Sequence, residues 1–184
     1  MLLSDSELVR LYGTWIKKYL DTGTWEGYLF TIMFKHLTRL PEPIEQMHQE
    51  LITLYSKIVI QAVRNPKRPT WADRLPRGLF VPDSFLGYNK MKSRDLLLND
   101  GLHMHGIMIV PKKSRLKYPL DVLIERNKDF YYGNKIQDID IRLIGNNSVY
   151  VTEYAGKSVQ KGRFSADDIL ILPRTVDELP RRKR

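Results

Sequence analysis

After Ser4-Asp5-Ser6-Glu7, apolar residues recur at helical spacing: Leu8, Leu11, Tyr12, Trp15, Ile16, Tyr19 and Leu20. Ser4 with Glu7 three places on has the form of a capping box, so the pattern predicts a helix ending near Asp21-Thr22-Gly23. Tyr28-Leu29-Phe30-Thr31-Ile32-Met33-Phe34 is rich in β-formers and apolar on both faces, as an inner strand would be. Pro41-Glu42-Pro43 then opens a long helix whose buried stripe is Ile44, Met47, Leu51, Ile52, Leu54, Tyr55, Ile58, Val59 and Ala62, and which ends before Pro66. Residues 65 to 77 are Pro-rich and basic and read as a surface loop, and Leu79-Phe80-Val81 as a short strand. Between Pro82 and Arg94 the pattern decides nothing.

Asn99-Asp100-Gly101 has the form of a hairpin turn and feeds a strand from Leu102 to Val110, closed by Pro111. Leu120, Val122, Leu123 and Ile124 predict a short helix. From Gln137 to Ile144 the chain alternates, with Ile139, Ile141 and Leu143 on one face and Asp138, Asp140 and Arg142 on the other, which is a half-exposed strand. Asn146 or Asn147 then caps a helix through Tyr150 and Tyr154 to about Gln160. The simplest solution is an α+β domain, one antiparallel or mixed sheet with helices packed on it. It divides into an N-terminal helix at 1–24, a main domain at 25–173 and a basic tail at 174–184.

Composition narrows the partners. With 184 residues, 42% of them hydrophobic, the chain can bury one core. No apolar run is long enough to span a membrane, and Ser4, Asp5 and Glu7 stand where a secretory leader would be basic and then apolar. The absence of cysteine removes disulfides and thiolate metal sites and is compatible with a bacterial cytoplasm. A formal charge of +9 favours a polyanionic partner, nucleic acid first, with basic loops at Lys67-Arg68, Lys90-Lys92 and Lys112-Lys113-Arg115-Lys117 tracking phosphates. Trp71 and Tyr88 are candidates to stack on bases.

Two constellations carry candidate chemistry. On a strand, His103 and His105 project from one face while Met104 goes to the other. Two imidazoles at that spacing suit a divalent metal, and the plainer reading is a pair of satisfied polar residues at a strand end. On the late helix, Tyr150, Tyr154 and Lys157 share a face. A phenol ionises near pH 10, so a nearby ammonium and a metal would both assist it as a nucleophile. The plainer reading there is an amphipathic helix with two aromatic core residues and a Glu153–Lys157 pair. Gly156-Lys157-Ser158 is no P-loop, since Val151 stands where the first glycine would be. His36 and His48 read as structural.

Taken in order, Phe30-Thr31-Ile32-Met33-Phe34, His103-Met104-His105-Gly106-Ile107 and Tyr150/Tyr154/Lys157 resemble the three motifs of the HUH endonuclease superfamily of rolling-circle replication initiators, relaxases and single-strand transposases. The resemblance covers about residues 25 to 165 and implies a ferredoxin-like, RRM-like sheet. It also implies a Mg2+ or Mn2+ ion held by His103 and His105, and a single-stranded DNA substrate at an origin or element end. Tyr154 would be the nucleophile that keeps a 5′-phosphotyrosine, with Lys157 stabilising the developing charge. Tyr150 is either a second nucleophile or a structural neighbour. With no helicase domain, unwinding would come from a host helicase, and the expected role is initiation of plasmid or phage rolling-circle replication. A single-tyrosine transposase of the same fold and a non-catalytic nucleic-acid-binding regulator are the alternatives. Asp95, Asp100 and Gln160 are candidates for a third metal ligand. Glu153 stands where family members often carry Lys, and Gly156 either ends the helix or admits a DNA strand.

Overall fold

The structure is a computed structural model that describes residues 4–38, 42–84, 98–145, 148–175 and 179. The Ser4 capping box forms with both its hydrogen bonds and starts α1 (Asp5–Leu20). Then follow β1 (Trp25–Phe34), α2 (Pro43–Ala62), β2 (Arg77–Ser84), β3 (Leu102–Pro111), α3 (Leu120–Arg126), α4 (Lys128–Tyr132), β4 (Ile136–Leu143), α5 (Ser148–Ala155), α6 (Lys157–Gln160) and β5 (Leu170–Leu172). The five strands form one sheet in the order β4-β1-β3-β2-β5, with every pairing antiparallel.

Strand alternation divides the sheet into two faces. Tyr28, Phe30, Ile32 and Phe34 of β1 join Phe80 of β2 and Met104, Met108 and Val110 of β3 in a core closed by α2, α3 and α4. Leu79, Ile107 and Ile109 face the other way, against Ile16 of α1 and Ala155 of α5. The chain is therefore three layers thick over its middle strands. Gly106 fits this packing because a Cβ there would lie 2.1 Å from Phe80 Cδ1, so only glycine lets the ring cross β3.

Several expectations are met closely and others need correction. The α2 stripe is buried as predicted, except that Ile44 and Ile52 are only half-buried and Gln46 joins it. On α1, Leu11 is half exposed, and the close contacts are made by Val9 and Gly13. The basic 65–77 loop contains a 3-10 turn at Pro69–Arg74. Asn99-Asp100-Gly101 is no two-residue hairpin: a 3-10 turn at Leu98–Gly101 precedes β3. Asn99 ties that turn to the end of β1, donating from Nδ2 to the carbonyls of Phe34 and Lys35 and accepting from Leu37 N–H through Oδ1. The late helix breaks into α5 and α6 at Gly156. A Cβ on Gly156 would lie 2.5 Å from Val9 Cγ1, so this glycine serves the approach of α1 and leaves no room for a DNA strand. Asn146 and Asn147, the proposed caps of α5, lie outside the described residues.

Candidate metal and nucleophile site

β3 lies at the centre of the sheet and carries His103 and His105 on the α1/α5 face, as the strand period requires. β2 runs longer than predicted, through Ser84, and its register sets Asp83 opposite His103. Asp83 continues the row Leu79, Val81 on that same face. The three donors lie within 4.8 Å of one another and are almost fully buried. His103 Nε2 is 3.2 Å from His105 Nε2, while Asp83 Oδ2 is 3.5 Å from His105 Nε2 and 4.0 Å from His103 Nε2.

The partners of the outer ring nitrogens fix how the site can act. His103 Nδ1 is 2.8 Å from the Gly101 carbonyl, which only accepts, so Nδ1 carries the hydrogen and Nε2 presents a lone pair. His105 Nδ1 is 3.2 Å from Thr31 Oγ1, which can take its hydrogen when Nε2 is a ligand. Ligand atoms about 2.1 Å from one ion lie about 3.0 Å apart at right angles and about 3.4 Å apart in a tetrahedron. The two shorter spacings fall in or near that range, and the third needs only a wider angle. Two imidazoles and one carboxylate therefore fit a divalent metal.

Burial pushes the His103 imidazole down to about 4, aided by the charges of His105 and Lys157 and opposed by the Gly101 carbonyl and the Asp83 carboxylate, so the ring is a neutral ligand at pH 7. Burial alone would raise the Asp83 carboxyl. Hydrogen bonds with His105 and Lys157, and the charge of Lys157, outweigh it and hold Asp83 well below the usual carboxylate range. His103 thus makes metal-free stability depend on pH. An unfolded histidine protonates near 6.5 and the folded one near 4, so its contribution is complete above 6.5 and lost as pH falls towards 4. Chelator-treated protein should lose about 2 kcal/mol between pH 7 and 4.5 from this group alone, read from urea midpoints. In His103→Asn the loss should shrink by that amount; equal losses in both proteins would assign the acid sensitivity elsewhere.

Above the cluster stand α5 and α6. The Tyr154 ring centroid is 5.3 Å from that of His105, and Lys157 Nζ is 4.4 Å from the Tyr154 ring centroid and 3.0 Å from Asp83 Oδ2. Lys157 therefore links the tyrosine to the carboxylate. Its neighbour Ser158 is fully buried and donates to the Pro82 carbonyl, which clamps α6 to β2 beside Asp83. In an extended residue the backbone N and carbonyl lie on the same side, so Pro82, whose carbonyl faces α6, removes no donor from the ladder to β3. Tyr150 and Tyr154 are 62% and 41% exposed, so neither is a core aromatic. Asp138, Asp140 and Arg142 of the edge strand β4 are exposed on this same face, leaving it open on that side.

Asp83 is the residue the sequence reading missed. Its signal was the alternation Leu79, Val81, Asp83, readable once β2 is extended past Pro82. Of the earlier candidates, Asp95 and the side chain of Asp100 lie outside the described residues. Gln160 ends α6 and makes no hydrogen bond to either histidine. His48 is packed, with Nε2 3.1 Å from the Asp168 carbonyl, and His36 is exposed. Trp71 is half-buried against the core with Arg74 over its ring, and Tyr88, Lys90 and Lys92 lie outside the described residues. The proposed phosphate contacts are not beside the histidines. Lys112, Lys113 and Arg115 follow the far end of β3, and Lys67 and Arg68 lie between α2 and the start of β2, at that same end.

A groove between α3 and β4, lined by Ile124, Glu125, Ile139 and Ile141, opens on the opposite face of the sheet and shares no residue with the cluster. Among the described residues, no helix is long and apolar enough to cross a membrane. Comparisons with protein-family models, curated proteins and solved structures return no match for this chain.

Proposed function

We propose that the chain is an HUH-type endonuclease that nicks and rejoins single-stranded DNA through a 5′-phosphotyrosine on Tyr154. The observation that carries this reading is the Tyr154 ring packed 5.3 Å from His105, over a buried Asp83–His103–His105 set, with Lys157 touching both. A metal set alone would suit many reactions. A half-exposed tyrosine and a lysine converging on it are what phosphotyrosine chemistry requires. The order β1-α2-β2-β3-α3-β4 also supports the reading, since it is that of a ferredoxin-like split βαβ unit with α2 and α3 on one face. The other face is left for the histidines and Tyr154.

A bound Mg2+ or Mn2+ ion, held by Asp83, His103 and His105, would polarise the scissile phosphate and offset its charge. Tyr154 Oη gives up its proton and attacks phosphorus. The P–O3′ bond breaks, and the leaving oxygen takes a proton to become a 3′-hydroxyl. Lys157 is placed to hold a phosphate oxygen against the phenol. In the reverse step a 3′-hydroxyl attacks the phosphotyrosine and releases Tyr154, so the strand is joined without an external energy source. Tyr150, one turn back on α5 and exposed, would be either a second nucleophile or a structural neighbour.

Lys157 and a metal contend for the same atom, Asp83 Oδ2. Lys157→Met should therefore tighten Mn2+ binding about tenfold, through loss of one repelling charge, while slowing cleavage. Mn2+ titration followed by electron paramagnetic resonance reads this directly, and unchanged or weaker binding would show that no such contest exists. The reading as a whole is tested by incubating the chain with end-labelled single-stranded DNA of random sequence. Cleavage is expected with Mn2+ or Mg2+ and not with chelator. No cleavage with any divalent metal would favour a non-catalytic nucleic-acid-binding protein.

A further inference from the structure

On β1, Thr31 pairs with His105 and Trp25 with Pro111, so Trp25 stands six residues from the metal cluster, about 20 Å at the rise of an antiparallel strand. A cavity of about 460 Å3 opens there, between the end of α1, the start of β1 and the end of β4. Leu20, Trp25, Glu26, Lys112, Leu143 and Ile144 line it. Leu20, Trp25 and Ile144 belong to the layer that α1 and α5 share, and so to the side of the sheet that carries Tyr154. Several of these side chains have unused capacity. Leu143 is 62% exposed and gives the cavity an apolar wall. Glu26 is half-buried and held by the Tyr28 hydroxyl, which donates to Oε2 at 2.8 Å, while Oε1 has no partner among the described residues. Lys112 is exposed and pairs with no described acid, since Asp21, which also lines the cavity, is taken by Lys17 at 2.6 Å. Arg74 lies over Trp71, Arg77 over Tyr19 and Arg126 over Tyr118, whereas no described cation lies over Trp25.

We propose that this cavity holds one guanine base of the single strand, with Glu26 as the residue that selects it. The inference rests on the reading of the chain as a DNA-nicking enzyme and adds to it a source of sequence preference. Bases of an unpaired strand can turn outward, stack on an aromatic ring and be read on their Watson–Crick edges. Trp25 supplies the ring, Leu143 an apolar wall and Lys112 a phosphate contact. Glu26 decides which base fits, because a carboxylate only accepts hydrogen bonds. Guanine alone sets two donors side by side on that edge, N1–H and the N2 amine, to match the two oxygens of one carboxylate. Adenine and cytosine offer an amine beside a ring nitrogen that accepts, and thymine offers N3–H between two carbonyls. Each of those turns a lone pair towards Glu26. At 3.4 Å per stacked nucleotide, about 20 Å places the guanine within about six nucleotides of the scissile phosphate.

Four fluorescent dodecamers serve as probes: oligo(dT), and oligo(dT) with one central thymine replaced by guanine, adenine or cytosine. Affinity is followed by anisotropy with chelator present, so that no strand is cut. The parent chain should bind the guanine probe at least about fivefold more tightly than oligo(dT), the scale of one bidentate pair. The adenine and cytosine probes should stay within about twofold of oligo(dT). Glu26→Gln should bring the guanine probe within about twofold of oligo(dT), because an amide donates to thymine carbonyls as well as accepting from guanine. Tyr28 can still donate to the amide oxygen, so this substitution tests recognition and not folding. Lys112→Gln should weaken all four probes alike and lower the log–log salt slope by about 0.7. Equal affinity for all four probes, no binding of any, or a guanine preference that survives Glu26→Gln overturns the proposal. Cleavage by the parent chain without a guanine preference would sink this inference alone. A guanine preference that Glu26→Gln removes, in a chain that cuts no DNA, would sink only the nuclease reading.

Discussion

His103→Ala/His105→Ala is expected to bind Mn2+ more than about a hundredfold more weakly than the parent chain and to leave single-stranded DNA uncut. Losing outer-shell partners alone costs 10–100-fold in metal proteins, and here two of three inner donors go. Asp83→Asn should fall between parent and double variant, because it keeps the imidazoles and gives up the negative charge that a divalent ion needs most. Fold should survive in each case, since the α2 core lies on the other sheet face. Circular dichroism and a Mn2+ titration on the same samples separate loss of metal from loss of fold. If the double variant cleaves like the parent in excess Mn2+, the ligands are elsewhere.

Tyr154→Phe should abolish covalent attachment while changing stability little. The substitution removes one hydroxyl from a side chain that is 41% exposed, and leaves its ring contacts with His105 and Lys157 in place. Tyr150→Phe should keep at least one round of cleavage. The two tyrosines differ in their neighbours. Lys157 comes three residues after Tyr154 and reaches its ring, whereas the residue three after Tyr150 is Glu153, which offers no cation to a phosphate. An adduct that persists in Tyr154→Phe would exchange their roles.

How much of this was legible in the chain varied with how local the cause was. α1 and α2 could be read because their apolar spacing and start signals are local, and the His103/His105 pair because side chains two apart on a strand must share a face. Leu11 was misplaced because helical spacing gives a stripe's direction and not its width. Asp83 was hidden for a longer-range reason. An acid next to a proline reads as a strand end, and only the pairing of β2 with β3 sets it opposite His103. β5, three residues long, carries too few positions to show a period. The break at Gly156 was one of the two readings that glycine offered locally, whereas its close approach to Val9, nearly the whole chain away, is contained in no local pattern. The basic loops were recognised by charge, but charge says nothing of which end of the sheet a loop caps. That required the direction of β3.

The most direct measurement is to trap the protein–DNA adduct formed with end-labelled single-stranded DNA and Mn2+, digest it, and identify the modified peptide by mass spectrometry. The expected result is a 5′-phosphodeoxynucleotide on the phenolic oxygen of Tyr154, absent with chelator and absent from His103→Ala/His105→Ala. An adduct on any residue outside α5, or cleavage that proceeds with no covalent adduct at all, would contradict it.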